Sequence, residues 1–386
     1  MLLTLKRHLL NIGLTVISIA LAVFAVEGAL WLFHIPPYPE SVYNVLEPDK
    51  ENGYRFRPNA KSQRSSWEYD APVSINSIGI RDYDYVVGSS EPYAFLLGDS
   101  FAEGHGVNIE QTIAKRLQER TGKLIANLGI ASSGTTQAVN IFRRYLHVFT
   151  HKPKYAILLF YVGNDYYDNR RFYDHFSHTG RFLQIVSNGY LVDNGTRIVQ
   201  DGNWLILYNS NNQEIRRTTN PAFHPPKGYE NRYLEWSKIY NIYAWANIPR
   251  NRDCQINNAI PGLLDGTYDF ESSVEWKVTK QLLENFIKLA KANSVVPVIV
   301  IMPSKFQLNP DLLRRAGCDI KNLDAYKSIE ILEDYAKKNG LINLNLAKVF
   351  STLPAKDFDK LYYLIDVHLT PFGNEVAANA ISKIIK

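Results

Sequence analysis

Five short apolar runs, separated by stretches of helical periodicity, constrain this chain more than any other feature. The runs are "YAFLL" at 93–97, "LIANL" at 124–128, "YAILLF" at 155–160, "PVIVIM" at 297–302 and "LINLN" at 341–345. Each has the length of a strand and is nearly continuous in apolar residues, the pattern of a strand covered on both faces. Between them, apolar residues recur at helical spacing: Ile113 and Leu117; Ala138, Phe142, Tyr145, Leu146 and Phe149; Val278, Leu282, Phe286 and Leu289. Asn108 with Gln111 predicts a capping box for the first of these helices. A helix from about 325 to 338 stops at Gly340, which suits a left-handed cap, and Thr370 with Pro371 starts the last helix. Parallel strands need helical crossovers, so the alternation predicts an α/β chain: a parallel, five-stranded sheet doubly covered by helices. Ligands of such sheets gather at the carboxyl ends of the strands.

The N-terminus carries a second constraint. Lys6 and Arg7 precede an apolar stretch from Leu9 to Phe33 interrupted only by Asn11, small polar residues and Glu27. The segment 9–26 rises about 27 Å as a helix, enough for a hydrocarbon core of roughly 30 Å. This predicts a transmembrane signal-anchor helix over about 9–33. Basic residues on its short side and Glu40, Glu47, Asp49 and Glu51 beyond it put the N-terminus in the cytoplasm and the remainder outside, at the periplasm or cell surface. Val23 and Ala25 form a signal-peptidase pattern, but apolar sequence runs on to Phe33, which favours an uncleaved anchor. Glu27 then lies near the outer interface, and its plain reading is a carboxylate snorkelling to headgroups.

The domain reading is therefore a membrane anchor at 1–33, a stalk and extended cap at 34–92, and an α/β domain at 93–386 with an insertion at about 166–274. That aromatic-rich insertion leaves the third strand at the ligand edge; "RFLQIV" and "YLVDN" around "SNG" read as a hairpin. Its rings either stack on sugars or form a small core of their own. Forty-three basic against 38 acidic residues leave +5, spread along the chain, which sets nucleic acid aside as a partner. Cys254 and Cys318 match no metal spacing; a lone disulfide and two unrelated thiols remain equal readings. Asn194-Gly195-Thr196 fits a glycosylation sequon, meaningful only in a eukaryotic secretory pathway.

Three polar clusters fall at the predicted ligand edge: Gly98-Asp99-Ser100, Asn164-Asp165 and Asp366-Val367-His368. Each has an ordinary explanation as turn or helix-start residues, but together they supply a reaction. Ser100, just past a strand and before a helix, can hold its hydroxyl out of the sheet, with Gly98 permitting close approach. A hydroxyl is a poor nucleophile near neutral pH and needs a base. His368 is that base, and Asp366, two residues away on an extended segment, orients it. Asn164 can donate to the oxyanion of a tetrahedral intermediate. Glu103 and His105, beside the nucleophile, read as loop residues rather than catalysts.

These blocks resemble the SGNH (GDSL-like) hydrolase superfamily, named for its catalytic Ser, oxyanion Gly and Asn, and catalytic His. "GDSF" at 98–101 looks like its first block, "YVGNDYYDN" at 161–169 its third and "DVHLTPFGNEVAANAI" at 366–381 its last. "INSIGIRDYDY" at 75–85 is similar to the lead-in of exported, membrane-anchored members. The resemblance covers about 50–168 and 275–386 and implies the flavodoxin-like SGNH hydrolase fold, with Ser100, His368 and Asp366 catalytic. The oxyanion donors it implies are the Ser100 amide, Asn164, and the amide of Ser132 or Gly134. The second block departs from the family: "NLGIASSGTTQ" has Ser132 where an oxyanion glycine aligns. The last block has one residue between Asp and His where two are commoner, a spacing shared with membrane-associated and acyl-transferring relatives.

The implied activity is a serine esterase working through an acyl-enzyme, with no metal or other cofactor, on short O-acyl groups of a cell-surface glycan or lipid. One alternative is an O-acyltransferase acting on an envelope polysaccharide, with a membrane acyltransferase as candidate partner. Another is a catalytically idle glycan-binding or assembly protein.

Overall fold

The computed structural model describes residues 2–33, 45–49, 51–66, 68–85, 91–170, 266–312, 322, 324–364 and 366–385, with five strands between 183 and 219 and residues 237–239 and 242. Cys254, Cys318 and Asn194 lie outside the described residues. Helix α1 (Leu2–Leu32) contains a 27-residue stretch, Lys6–Leu32, whose most apolar 18-residue window has mean hydropathy 2.5 and is not buried. It is long and apolar enough to cross a membrane.

Glu27 does not snorkel. Its side chain is buried, with Oε1 accepting from Trp31 Nε1 (3.0 Å) and the Lys238 amide (2.6 Å). Oε2 accepts from Ser237 Oγ (2.9 Å) and the Ile239 amide (3.1 Å), while Lys238 Nζ sits 4.7 Å from the Trp31 ring centroid. Four donors thus replace water around the carboxylate and tie the end of α1 to residues 237–239, contacts that no local sequence signal announces.

Two antiparallel hairpins follow: β1 (Leu46–Asp49) with β2 (Gly53–Phe56), and β3 (Lys61–Ser65) with β4 (Asp70–Ser74). They join the main core through Tyr54, Phe56, Val73 and Ile75. Then come β5 (Ala94–Gly98), α2 (Ser100–Glu103), α3 (Ile113–Thr121), β6 (Ile125–Asn127), α4 (Thr135–Tyr145) and β7 (Tyr155–Tyr161). In the insertion, β8 (Leu183–Val186) and β9 (Tyr190–Asp193) form the expected hairpin, and β10 (Arg197–Asp201), β11 (Trp204–Tyr208) and β12 (Glu214–Thr219) form an antiparallel sheet. The chain closes with α5 (Val274–Ala292), β13 (Val296–Met302), α6 (Lys327–Lys338), β14 (Ile342–Asn345) and α7 (Pro371–Ser382).

The central sheet has the order β6-β5-β7-β13-β14, every pair parallel. Counting only these strands in chain order gives 2-1-3-4-5, the flavodoxin-like arrangement. Successive side chains on a strand point to opposite faces, and here both faces are covered. Phe95, Leu97, Leu158, Phe160 and Ile299 pack with Phe142 of α4, Phe286 of α5 and Leu332 of α6. Leu96, Ile157, Leu159, Val298 and Val300 pack with Leu117 of α3 and Ile381 of α7. Each such side chain contributes about 1.5–3 kcal/mol on burial, and this explains why the five apolar runs, and not the polar stretches between them, form the sheet.

Helix ends match the sequence with one exception. Gly340 follows α6 at φ +63°, and Thr370 Oγ1 accepts from the Gly373 amide (3.2 Å) at the start of α7. The Asn108–Gln111 pair, however, caps a short 3₁₀ turn at Ile109–Gln111. Thr112 caps α3, its Oγ1 accepting from the Lys115 amide (3.3 Å).

Candidate active site

Strand β5 ends at Gly98, where φ is +146° and a Cβ would lie 2.6 Å from the Leu159 carbonyl oxygen. No other residue fits that approach. Asp99 then caps α2, its Oδ1 accepting from the Phe101 amide (2.9 Å), and Ser100 becomes the first helical residue. Its amide is one of the first-turn N–H groups a helix leaves without an internal partner.

His368 reaches the same point from before α7. Its Nε2 lies 2.7 Å from Ser100 Oγ and its Nδ1 2.5 Å from Asp366 Oδ1. A carboxylate only accepts, so Nδ1 carries the proton and Nε2 is the bare nitrogen facing the hydroxyl. The Asp–His pair is made by a bend rather than the expected extended run: Asp366 Oδ1 also accepts from the His368 amide (2.9 Å), a two-residue side-chain turn. The bend is pinned from outside, since the Asp366 amide donates to Glu68 Oε2 (2.7 Å) and Lys305 Nζ to the Asp366 carbonyl (2.8 Å). Burial alone would raise the Asp366 pKa, but the His368 charge and hydrogen bonds outweigh it and hold the carboxyl well below the usual range.

Asn164 follows β7 and lies half-buried beside Asp99, where its side chain favours the charged carboxylate. Asn164 Oδ1 and Asp99 Oδ2 are both buried without a partner. Burial pushes the Asp99 carboxyl up to about 6, against the opposing effects of the Phe101 amide and the His368 charge. Burial also raises Asp165 well above the ordinary value, reinforced by the Asp99 and Asp168 charges. Two carboxyls disinclined to ionise thus lie next to Ser100 and Asn164.

Ser100, Asn164 and the Asp366–His368 pair therefore stand at the carboxyl ends of β5 and β7 and at the approach to α7 of a 2-1-3-4-5 parallel sheet. The sheet is flavodoxin-like, and these residues stand at its carboxyl edge, as the resemblance to SGNH hydrolases implies. Solved structures similar to the chain include a member of the lipolytic protein G-D-S-L family from Veillonella parvula (9% identity, TM-score 0.37, covering 75% of this chain and 96% of that one). Others are a GDSL-like lipase from Bacteroides thetaiotaomicron (13%, TM-score 0.34, 76% and 86%) and a psychrotrophic esterase from Pseudoalteromonas (8%, TM-score 0.34, 76% and 97%). Those scores are too low to carry weight beside the chain's own topology and contacts. No family model and no curated protein matches the sequence.

The second-block departure has a conformational answer. Ser132 adopts φ +62°, the left-handed conformation for which glycine is the usual residue. The Gly134 amide donates to Gln137 Oε1 (3.1 Å), whereas the Ser132 amide has no acceptor among the described residues. Ser132 is thus the backbone donor left free. Ser132→Gly is expected to change stability by less than about 1 kcal/mol, relief of the left-handed strain offsetting glycine's entropy, and to leave hydrolysis intact. Ser132→Val, β-branched at positive φ, is expected to cost about 1–3 kcal/mol. Thermal unfolding together with an ester assay checks both.

His105 lies in a turn, as expected, whereas Glu103 ends α2 rather than lying in a loop. Glu103 is fully buried: Oε1 pairs with Arg64 (2.9 Å) and Oε2 accepts from the Ala131 amide (2.7 Å), one residue before Ser132. Arg81 of the "INSIGIRDYDY" stretch donates to the carbonyls of Glu103 (3.1 Å), Gly104, Val107 (2.6 Å) and Pro72 (3.2 Å), and burial lowers its pKa to about 10. A charged side chain directly after the apolar Phe101-Ala102 pair is the one local signal for Glu103. Arg64, Glu68 and Tyr69 had none, because they lie in a segment without periodicity.

The His105 ring stacks on His368, centroids 3.9 Å apart and planes 11° from parallel. His105, Asp366 and His368 bring one donor atom each within 4.8 Å of one another, close enough for a metal ion. The near-parallel rings keep their in-plane lone pairs from converging, and Asp366 and His368 are bonded to each other, so the arrangement fits a hydrogen-bonded row better than a coordination sphere.

Proposed function

We propose that this chain is a membrane-anchored serine esterase acting outside the cytoplasm, and that it removes short O-acyl groups from a glycan or lipid of the cell surface. The observation that carries this reading is the continuous row from Ser100 Oγ through the His368 ring to Asp366, with links of 2.7 and 2.5 Å. His368 Nε2 takes the Ser100 proton as Oγ attacks the ester carbonyl, and Asp366 stabilises the resulting imidazolium. The amides of Ser100 and Ser132 and the Asn164 side chain hold the oxyanion. Collapse expels the alcohol, which receives the proton from His368; water, activated by the same ring, then releases the acid and restores Ser100. The apolar α1 supports anchoring, and Lys6 and Arg7 on its short side support an external domain.

The acyl-enzyme is common to hydrolysis and transfer. The test is to incubate the full chain in detergent with p-nitrophenyl acetate and with an O-acetylated polysaccharide, each with and without unacetylated glycan. Acetate release that disappears in Ser100→Ala supports the esterase. Acetyl appearing on the added glycan in excess of free acetate makes the protein an O-acyltransferase. A Ser100→Ala variant that keeps every activity and cellular role of the wild type leaves only a binding or assembly role.

A further inference from the structure

The mechanism uses one oxygen of Asp366; the other is held by residues it does not call on. Tyr69 Oη lies 3.0 Å from Asp366 Oδ2 and 2.9 Å from His105 Nε2. The proton order along this path follows from chemistry. The carboxylate is acceptor-only, so the single phenolic proton goes to Asp366, and Tyr69 Oη must accept from His105 Nε2–H. His105 is therefore the Nε2–H tautomer, and its Nδ1, buried without a partner, is bare. The surroundings keep it so: His105 faces the Tyr69 hydroxyl, the Asp366 carboxylate and the His368 ring, with the Arg64 and Arg81 charges nearby. Burial, then the His368, Arg64 and Arg81 charges, outweigh Asp366 and hold its pKa well below the ordinary histidine value. The His105 amide also donates to the Ser100 carbonyl (2.9 Å), so the ring stacked on His368 is fixed to the nucleophile's own turn.

Resting on the hydrolytic reading above, we propose that Tyr69 and His105 are positioning residues for the Ser100–His368–Asp366 row, Tyr69 orienting Asp366 by a hydrogen bond to Oδ2 and His105 orienting both Tyr69 and the face of His368. The cap hairpin β3–β4, whose turn carries Glu68 and Tyr69, is then part of the active site.

Two measurements on the full chain in detergent test this. In the pH profile of kcat/KM, Tyr69→Phe removes a donor from Asp366, makes that carboxylate more basic and so strengthens its hold on the imidazolium. The acid limb is expected to move to higher pH, with a fall of about tenfold in kcat/KM carried by kcat rather than KM. His105→Phe, which keeps a ring but loses the N–H, shifts the limb in the same direction, while His105→Gln, which keeps an N–H at the same reach, restores it. Falls in rate with an unmoved limb in both Tyr69→Phe and His105→Phe would overturn the proposal. Nitrogen-15 NMR of the wild type needs no turnover and no variant: an Nε2–H tautomer at His105 supports the proposal, and an Nδ1–H tautomer or a charged ring overturns it. Absence of Ser100-dependent turnover alongside an Nε2–H His105 would mark failure of the hydrolytic reading and not of the hydrogen-bond order.

Discussion

Exchanging Asp366 for asparagine is expected to cut ester hydrolysis about ten-thousandfold in a protein that still folds. The side-chain amide introduced by Asp366→Asn can donate to His368 Nδ1, which stabilises the tautomer with its proton on Nε2, the nitrogen that must be bare to accept from Ser100. It also cannot stabilise an imidazolium as a carboxylate does. The bend survives, because the contacts of the backbone amide and carbonyl at this position with Glu68 and Lys305 do not depend on the side chain. The pH dependence of stability carries the same signature. A carboxyl held far below its unfolded value, about 3.9, contributes stability at pH above that value and loses it as the pH falls toward the folded pKa. Wild type should therefore lose more stability on acidification below about pH 4 than Asp366→Asn does. A variant within tenfold of wild-type activity, with an identical acid-unfolding curve, would remove Asp366 from both roles.

Removing Glu103 should produce the largest loss of stability. Arg64 and Glu103 have side chains 2% and 0% exposed, so Glu103→Ala takes the carboxylate from a buried guanidinium and leaves the Ala131 amide without its acceptor. Breaking such a pair from one side costs about 3–5 kcal/mol. Loosening the loop that carries Ser132 should lower activity as well. The double variant Arg64→Met/Glu103→Leu removes the buried charge as well and should recover much of the stability without recovering the activity. Denaturant unfolding of the two single variants and the double variant measures the coupling; single costs below about 1 kcal/mol, adding independently, would contradict the buried-pair account.

What the sequence discloses and what it hides divide along physical lines. The strands were legible because burial on both faces leaves a nearly continuous apolar run, least so in the edge strand "LINLN", and their bounds shifted by about one residue. Ser100, Asn164 and His368 were legible because strand ends and helix starts carry local turn chemistry, and their convergence follows from a parallel sheet having its carboxyl ends on one side. Tyr69, Glu68 and Arg64 were not, because nothing local marks them. Tyr69 meets Asp366 across 297 residues of chain and Arg64 meets Glu103 across 39. Glu27 departs from its local reading for the same reason, its partners at 237–239 lying 210 to 212 residues away. Ser132 shows the reverse case: alignment to a glycine position raised the question of its conformation, and only its φ answered it.

The most direct test is covalent capture of the nucleophile. A fluorophosphonate, attacked by an activated serine with loss of fluoride, should label the wild-type chain at Ser100, with the adduct found on the peptide spanning "LLGDSFAEG". Ser100→Ala should take up no label there, and His368→Ala should label far more slowly. A wild-type chain that stays unlabelled, or one labelled equally after Ser100→Ala and His368→Ala, would contradict the claim that this row of side chains makes an acyl-accepting serine.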